Sequence, residues 1–222
     1  MIPKPIGIIG GAGPLAGVFL LKQIFCLARD LYCCWNDRDF PKVMLISFPF
    51  SDMLSKEIDV LQIRNELREC LKKLRDDGAS VIGIACNTLH AFLDEDEDHR
   101  SDLVRLPQIA AEAIPLSEIP LVLGTSTSMQ FELYQKCFPC TYPDAVAQAE
   151  VDKIIAQILK GKEPDKVVEE LRTLIKAQNA DTILLGCTEL SLYANEFLAC
   201  KKTIIDPLNL MARKLINKSF GG

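Results

Sequence analysis

The sequence predicts an α/β protein made of two similar lobes, each built around a parallel β-sheet. Two observations lead to this prediction. Short apolar, β-branched runs alternate with helical patterns along the chain, which is typical of parallel α/β folds. The chain also repeats itself: residues 82–92 (IGIACNTLHAF) align without a gap with residues 183–193 (ILLGCTELSLY), and residues 7–17 correspond to residues 121–131. Two related lobes that face one another explain this repeat.

The individual elements follow from the same patterns. The apolar runs predict strands at residues 6–10, 43–47, 81–85, 121–124, 182–185 and 203–205. Helical periodicity predicts helices at about residues 14–34, 57–77, 127–137, 145–160, 165–178 and 208–218. Pro14 suits the first turn of the first helix, where its missing N–H has no partner in any case, and Gly78 suits the end of the second helix.

The repeat also predicts how the chain divides. A chain of 222 residues can bury a sizeable core as one large domain or as two small ones. We predict a first lobe of residues 1–115 that is joined by the C-terminal helix, residues 208–222, and a second lobe of residues 116–207. The first lobe then carries Cys86 and the second carries Cys187.

Composition excludes several classes of function. A net charge of -5 with no run of Lys or Arg predicts no nucleic-acid partner, and the longest apolar run, around residues 15–21, is too short for a membrane span. Nine cysteines without a signal peptide indicate free thiols in the cytoplasm, because a disulfide scaffold is typical of shorter secreted chains. The acidic run of residues 94–98 predicts a solvated loop, since consecutive carboxylates cannot converge on one metal ion.

Two cysteines occupy equivalent positions in the repeat. Cys86 and Cys187 each follow a predicted strand and precede a predicted helix, at the sheet edge where open α/β folds bind ligands. Free N–H groups at a helix start favour anions. We therefore expect the thiol pKa to fall below about 8.5, and a substrate carboxylate to bind beside Asn87, Thr88 and Thr188.

A pair of facing cysteines suits proton exchange at a stereocentre. Inversion needs a base on one face of the carbon atom and an acid on the other, and two chemically identical groups serve both directions equally well. N–H groups directed at the substrate carboxylate stabilise the carbanion. The alternative is that each cysteine is only a packed residue. Because a cysteine recurs at the equivalent position of each repeat, we favour a catalytic role over simple packing.

Three motifs around these residues resemble the cofactor-independent aspartate/glutamate racemase family, particularly its aspartate racemase branch. They are GIIGGAGP at residues 7–14, ACNTLH at residues 85–90 and LGCTEL at residues 185–190, and they span nearly the whole chain. The resemblance implies two lobes with the active site between them, a homodimer, and no pyridoxal phosphate or other cofactor. It implies Cys86 and Cys187 as the acid/base pair, and aspartate or a related small acidic amino acid as the substrate.

The resemblance also implies substrate-binding residues. Residues 124–128 (GTSTS) resemble the family's Thr-x-Gly-Thr loop, and Lys160 is similar to a lysine near the substrate side chain, although a helix cap is the alternative for it. Glu189 stands where the glutamate racemase branch has His. The candidates are Gly11, Ala12, Gly13, Asn87, Thr88, Thr125, Ser126, Ser128, Lys160, Thr188 and Glu189.

Two positions complicate this assignment. Aspartate racemases carry an Arg after the second strand that grips the distal carboxylate, whereas residues 47–53 read SFPFSDM and contain no Arg. A bidentate Arg is not replaced by Phe or Met, so the particular amino acid stays open. His90, four residues after Cys86, could tune the thiolate or shuttle a proton. We favour a hydrogen-bonding role for it.

Other functions remain as alternatives. Residues 11–16 fit the G-x-G-x-x-A pattern of nucleotide-binding proteins, but no acidic residue follows the second strand at the place where a ribose hydroxyl would bind. Cys137 and Cys140 form a single CxxC, which lacks the second ligand pair of a structural zinc site. The last group comprises relatives with altered chemistry: a glutamate or hydantoin racemase, a decarboxylase or isomerase, or a catalytically silent protein.

Overall fold

A computed structural model describes residues 2–54, 57–98, 100–197 and 200–221. It contains two sheets in which every pair of neighbouring strands is parallel. The first sheet has the order β2-β1-β3-β4 and the second the order β5-β6-β7. The strands are β1 (Ile6–Gly10), β2 (Val43–Ser47), β3 (Val81–Ile84), β4 (Leu103–Val104), β5 (Leu121–Leu123), β6 (Thr182–Leu185) and β7 (Thr203–Ile205). The predicted fold class of two parallel-sheet α/β lobes is confirmed.

Helices connect these strands. The α-helices are α1 (Pro14–Tyr32), α2 (Val60–Asp76), α3 (Glu95–Asp98), α4 (Leu106–Ala113), α5 (Ser126–Gln130), α6 (Ala145–Leu159), α7 (Pro164–Ala177), α8 (Thr188–Ser191) and α9 (Pro207–Ser219). Short 3-10 helices lie at Asp37–Asp39, Thr88–Phe92 and Ala194–Phe197. The long helices begin and end within a few residues of their predicted bounds, because their apolar periodicity and terminal Pro, Asp or Gly residues are local signals.

The internal repeat of the sequence is a repeat of strand register. The gap-free alignment matches Gly7 with Leu121 and Ile82 with Ile183. In the structure Gly7 pairs with Ile82 in the first sheet, and Leu121 pairs with Ile183 in the second. The same central strand pair therefore recurs in the same register, and it brings Cys86 and Cys187 to equivalent strand ends.

Both faces of the first sheet are covered, which explains why its central strands are continuously apolar. Along β1, Ile8 points into a core formed with α1 and α9, whereas Ile9 points into a core formed with α2. In the second sheet, Ile183 packs against α6 and α7, and Leu184 packs on the opposite face with Tyr134. The sheets are therefore buried, and polar side chains collect at the strand ends.

The predicted division of the chain remains a prediction. The C-terminal helix α9 packs against α1, α4 and β3, which are elements of the predicted first lobe. Its residues Met211 and Leu215 lie beside Gly83 of β3. This packing and the membership of the two sheets support lobes of residues 1–115 plus 208–222 and of residues 116–207.

Some local predictions were wrong. The strand β4 and the helix α4 were not predicted, since a two-residue strand has no periodicity to detect. The helix predicted over 127–137 ends at Gln130, and Glu132 follows with φ +54°. The acidic run includes the short helix α3 instead of a solvated loop. Asp94, the residue before α3, pairs with Arg68 at 2.9 Å, and Glu97 of α3 pairs with Arg75 at 2.6 Å. These ion pairs hold the acidic segment against α2.

Candidate active site

A cavity of about 180 Å³ lies between the two sheets, at the carboxyl ends of their strands. A single water needs roughly 10–15 Å³ by the same measure, so the cavity can hold a small metabolite. The first sheet contributes the loops after β1, β2 and β3, with Gly11, Ala12, Gly13, Phe50, Ser51, Asp52, Met53, Leu54, Cys86, Asn87 and Thr88. The second sheet side contributes Thr125, Ile155, Leu159, Cys187, Thr188 and Glu189.

The two predicted cysteines line this cavity together. Cys86 follows β3, Cys187 follows β6, and their side chains are only 6% and 5% exposed. The N–H groups of Thr88 and Leu89 are directed at the Cys86 sulfur, and the N–H of Glu189 is directed at the Cys187 sulfur. Turns that open directly after each strand therefore place backbone donors beside both thiols, as the sequence predicted.

The protonation of these thiols differs from the prediction. Burial, followed by the negative charge of Glu189, raises the pKa of Cys86 to about 12, and the same causes raise the pKa of Cys187 well above its ordinary value. The predicted decrease was therefore wrong. The turns after the cysteines span only Thr88–Phe92 and Thr188–Ser191, and their few N–H groups do not outweigh desolvation and a neighbouring carboxylate.

Glu189 lies in contact with one of the thiols. The thiol of Cys187 donates a hydrogen bond to Glu189 Oε2 at 2.9 Å, and the hydroxyl oxygen of Thr188 lies 3.4 Å from the same carboxylate oxygen. The other oxygen, Oε1, is buried and has no hydrogen-bond partner among the described residues. Burial also raises the pKa of this carboxyl, which is 6% exposed. The cavity wall thus contains a carboxylate with one free oxygen.

Gly13 makes room for that carboxylate. It has φ +82°, and a Cβ atom built there would lie 1.5 Å from Glu189 Oε1. Any side chain at this position would be strained in the backbone and would displace the carboxylate. The glycine-rich loop after β1 therefore serves to bring the first lobe close to the acidic residue of the second.

Hydrogen bonds across the cavity hold the two halves together. The Thr188 hydroxyl donates to the carbonyl oxygen of Ala85 at 3.2 Å, and the hydroxyls of Thr88 and Thr125 lie 3.2 Å apart. The Tyr134 hydroxyl donates to Asn87 Oδ1, which orients the amide. The amide nitrogen of Asn87 is buried without a partner among the described residues, at the wall of the cavity.

His90 makes hydrogen bonds with the backbone and does not line the cavity. Its Nδ1 lies 2.8 Å from the carbonyl oxygen of Cys86, and the N–H of Leu106 donates to its Nε2 at 3.2 Å. The ring is therefore neutral, with the proton on Nδ1. Burial lowers the pKa of His90 to about 4. Both nitrogens are engaged, which agrees with the hydrogen-bonding role that the sequence favoured over a proton shuttle.

The buried imidazole makes stability depend on pH. The unfolded chain gains a proton at His90 below the ordinary histidine pKa of 6.5, whereas the folded protein gains it only near pH 4. This contribution to stability is therefore complete above pH 6.5 and is lost as the pH falls from 6.5 to about 4. We expect a loss of about 3 kcal/mol across this range. The variant His90→Gln should lack this part of the pH dependence. Urea unfolding of both proteins at a series of pH values measures the difference, and equal slopes would contradict the assignment.

Three predicted binding residues lie outside the cavity. Ser126 is exposed, and its N–H and hydroxyl both donate to Asp152. Ser128 is fully buried, and its hydroxyl donates to the carbonyl oxygen of Thr125 at 2.8 Å. Lys160 is exposed at the end of α6 and does not line the cavity. Of the loop that resembles Thr-x-Gly-Thr, only Thr125 reaches the cavity.

Sequence reasoning missed the apolar part of the wall. The missed residues that line the cavity are Phe50, Ser51, Met53, Leu54, Ile155 and Leu159. The signal for the first four was available, since the loop after β2 ends at the same sheet edge as Cys86. Nothing local marks Ile155 and Leu159, because they are ordinary apolar positions of α6.

Metal sites and membrane spans are absent from the part of the chain that the structure describes. Within residues 2–54, 57–98, 100–197 and 200–221, no group of three or more His, Cys, Asp or Glu side chains could hold a metal ion. None of the helices in these ranges is both long and apolar enough to cross a bilayer. None of the nine cysteines forms a disulfide bond; Cys137 is exposed and Cys140 is half-buried.

Two parallel sheets with a cavity between their strand ends define a two-lobed α/β fold that racemases of known structure share. The chain belongs to the Asp/Glu/hydantoin racemase family, whose model matches residues 9–215. The protein is therefore an enzyme of the isomerase class.

Individual relatives agree with this family. The chain is 27% identical to the broad specificity amino-acid racemase RacX of Bacillus subtilis over 224 aligned positions, which cover 96% of each chain. The structure of Picrophilus torridus aspartate racemase matches 98% of this chain and 94% of its own with a TM-score of 0.79 at 22% identity. An aspartate racemase homologue from Pyrococcus horikoshii matches 98% and 99% of the two chains with a TM-score of 0.73 at 23% identity. At these identities the two structures show a common fold.

Proposed function

We propose that the protein is an amino-acid racemase that needs no cofactor and exchanges the Cα proton between Cys86 and Cys187. One observation carries the proposal: two thiols from repeat-equivalent positions line the same cavity. A thiol on each side of a bound substrate is the arrangement that inversion requires. The similarity to RacX, named as a broad specificity amino-acid racemase, supports amino acids as the substrate class.

The proposed reaction uses each sulfur once. One thiolate removes the Cα proton, so that a C–H bond breaks and an S–H bond forms, and the negative charge passes to the substrate. The opposite thiol then gives its proton to the other face of Cα, and the charge returns to sulfur. Asn87, Thr88 and Thr125 line the cavity, and in the proposed reaction the amide nitrogen of Asn87 and the two threonine hydroxyls bind the substrate carboxylate and stabilise the carbanion.

The side-chain region of the cavity favours an uncharged substrate. The sequence predicted aspartate or a related acidic amino acid, yet no Arg, Lys or His is among the described residues of the wall, and its charged members are Asp52 and Glu189. An acidic side chain would be buried without a cation and beside carboxylates, which is strongly unfavourable. Phe50, Met53 and Ile155 offer apolar contacts instead. Lys56, two positions after Leu54 in the sequence, lies outside the described residues. We infer that amino acids with apolar side chains are the preferred substrates.

Deuterium exchange tests both parts of this proposal. The purified protein, without added cofactor, should catalyse exchange of the Cα proton in D₂O together with loss of optical activity. Methionine and leucine should react at least about tenfold faster than aspartate, since a buried carboxylate without a cation loses more than 1.4 kcal/mol. Chiral chromatography of a panel of L- and D-amino acids gives the rates. Faster reaction with aspartate would overturn the substrate class, and no exchange with any amino acid would overturn racemisation.

Three further properties are part of the same proposal. The resemblance implies a homodimer and independence from pyridoxal phosphate, and the cysteine content indicates a cytoplasmic location. Light scattering during size-exclusion chromatography measures the oligomeric state, and fractionation of cells measures the location. Full activity of protein that shows no absorbance from a bound pyridoxal group tests the independence from pyridoxal phosphate.

A further inference from the structure

Proton exchange between two thiols requires that one of them carries a negative charge before the substrate reacts. Both sulfurs of this site are buried, and the pKa of each thiol lies far above neutral pH. Two neutral thiols contain two acids and no base. A further group must therefore take up a thiol proton inside the cavity.

Glu189 has the position that this task needs. Its Oε2 accepts the hydrogen bond of the Cys187 thiol at 2.9 Å, and its Oε1 is buried without a partner among the described residues. Gly13 is the residue that leaves space for the carboxylate at the cavity wall. The carboxylate lines the same cavity as both cysteines, and its negative charge also raises the pKa of Cys86.

Other carboxylates near the site are engaged elsewhere or face solvent. Within the described part of the chain, the titratable side chains that line the cavity with Glu189 include Cys86, Cys187 and Asp52. The helices that pack against α8 include α6, which carries Asp152, and α9, which begins after Asp206. Asp206 accepts hydrogen bonds from Ser191, Leu208 and Asn209, and Asp152 accepts from Ser126. Asp52 is exposed and accepts the N–H of Leu54. Among these carboxylates, Glu189 is the one that accepts a hydrogen bond from a thiol.

We propose that Glu189 accepts the thiol proton of Cys187 and thereby makes this cysteine a base towards Cα. The inference rests on the proposed function. In it Glu189 acts on the substrate through Cys187, whereas the sequence suggested that Glu189 binds the substrate directly. Three groups, Cys86, Cys187 and Glu189, then share two protons and one negative charge.

The proton balance is simple. In the resting site both sulfurs are protonated and Glu189 carries the charge. The S–H bond of Cys187 breaks, its electron pair stays on sulfur, and an O–H bond forms at Glu189 Oε2. The thiolate then removes the Cα proton while Cys86 donates from the opposite face. After inversion Cys86 is the thiolate, and return of the proton from Glu189 to Cys86 restores the resting site. The total charge of the three groups and the substrate is unchanged at each step.

The variant Glu189→Gln removes the proton acceptor and retains the shape of the side chain. We expect kcat at neutral pH to fall about 10²-fold with little change in KM. The wild-type rate should be level across neutral pH, because the shared proton stays inside the site. The variant has to lose the thiol proton to solvent, so its rate should rise about tenfold per pH unit towards the thiol pKa. A variant with the wild-type pH profile would overturn the proposal.

A matched control separates this effect from the loss of a charge. Glu196 lies seven positions further along the chain, is exposed and does not line the cavity. Glu196→Gln should therefore retain the wild-type rate and pH profile. An equal change in this variant would show that the charge of the segment, and not the contact with Cys187, is responsible.

A second measurement needs neither a variant nor a substrate. Iodoacetamide reacts with the thiolate, and peptide mapping by mass spectrometry reports its reaction at Cys187 separately from the other eight cysteines. In the wild-type protein the rate at Cys187 should be level across neutral pH, and a tenfold rise per pH unit would overturn the proposal. Failure of the racemase assay with a level alkylation profile would contradict the proposed function and leave the proton acceptor in place.

Discussion

Serine in place of Cys86 or of Cys187 should lower the rate of racemisation by about 10³-fold or more, because an alcohol is too weak an acid and its conjugate base too scarce to replace either thiol. Chiral chromatography of each variant with the best substrate measures the loss. Normal racemisation by either variant would show that inversion does not use this pair of sulfurs.

The same variants should distinguish proton exchange at one face of Cα from proton exchange at the other. Cys86→Ser retains Cys187 and its proton acceptor Glu189, so this variant should still exchange the Cα proton of one enantiomer with solvent deuterium. Any exchange that Cys187→Ser retains through Cys86 should be of the opposite enantiomer. Exchange of both enantiomers by a single variant would contradict a site with one base per face.

Cys137→Ser provides the matched control for these substitutions. Cys137 is exposed, lies outside the cavity and is part of the single CxxC of the chain. This variant should racemise at the wild-type rate. A large loss of activity would instead revive a redox or metal function for Cys137 and Cys140.

Gly13→Ala should lower activity and stability together. The backbone of Gly13 has φ +82°, and the new Cβ would overlap Glu189 Oε1. The backbone strain alone is about 1–2 kcal/mol. The displaced carboxylate would also lose its contact with Cys187, and we expect kcat to fall at least about tenfold as a result. Urea unfolding and steady-state kinetics measure the two effects.

Gly78→Ala isolates the part of this effect that comes from the contact. Gly78 has φ +91°, and a Cβ atom there would meet no other atom within 4 Å. It should therefore show a similar backbone penalty with full activity. If Gly13→Ala also kept its full activity, the close approach of the first lobe to Glu189 would have no catalytic importance.

The sequence predicted the site residues least well outside the repeated cysteine motifs. Asn87, Thr88 and Thr188 were predicted from their positions beside the cysteines, and all three line the cavity. Ser126 and Lys160 were implied by resemblance alone, and neither reaches it. Where a motif differs from its family pattern, the resemblance predicts where its backbone lies but not the direction in which its side chains point.

The sequence by itself determined the two parallel sheets and the placement of Cys86 and Cys187 at equivalent strand ends, because strand periodicity and an internal repeat are local properties. The tertiary structure decided the protonation of those thiols, the contact of Cys187 with Glu189 and the apolar wall around Met53. Burial and charge at one atom are sums over groups from distant segments, and only the packed chain brings those segments together.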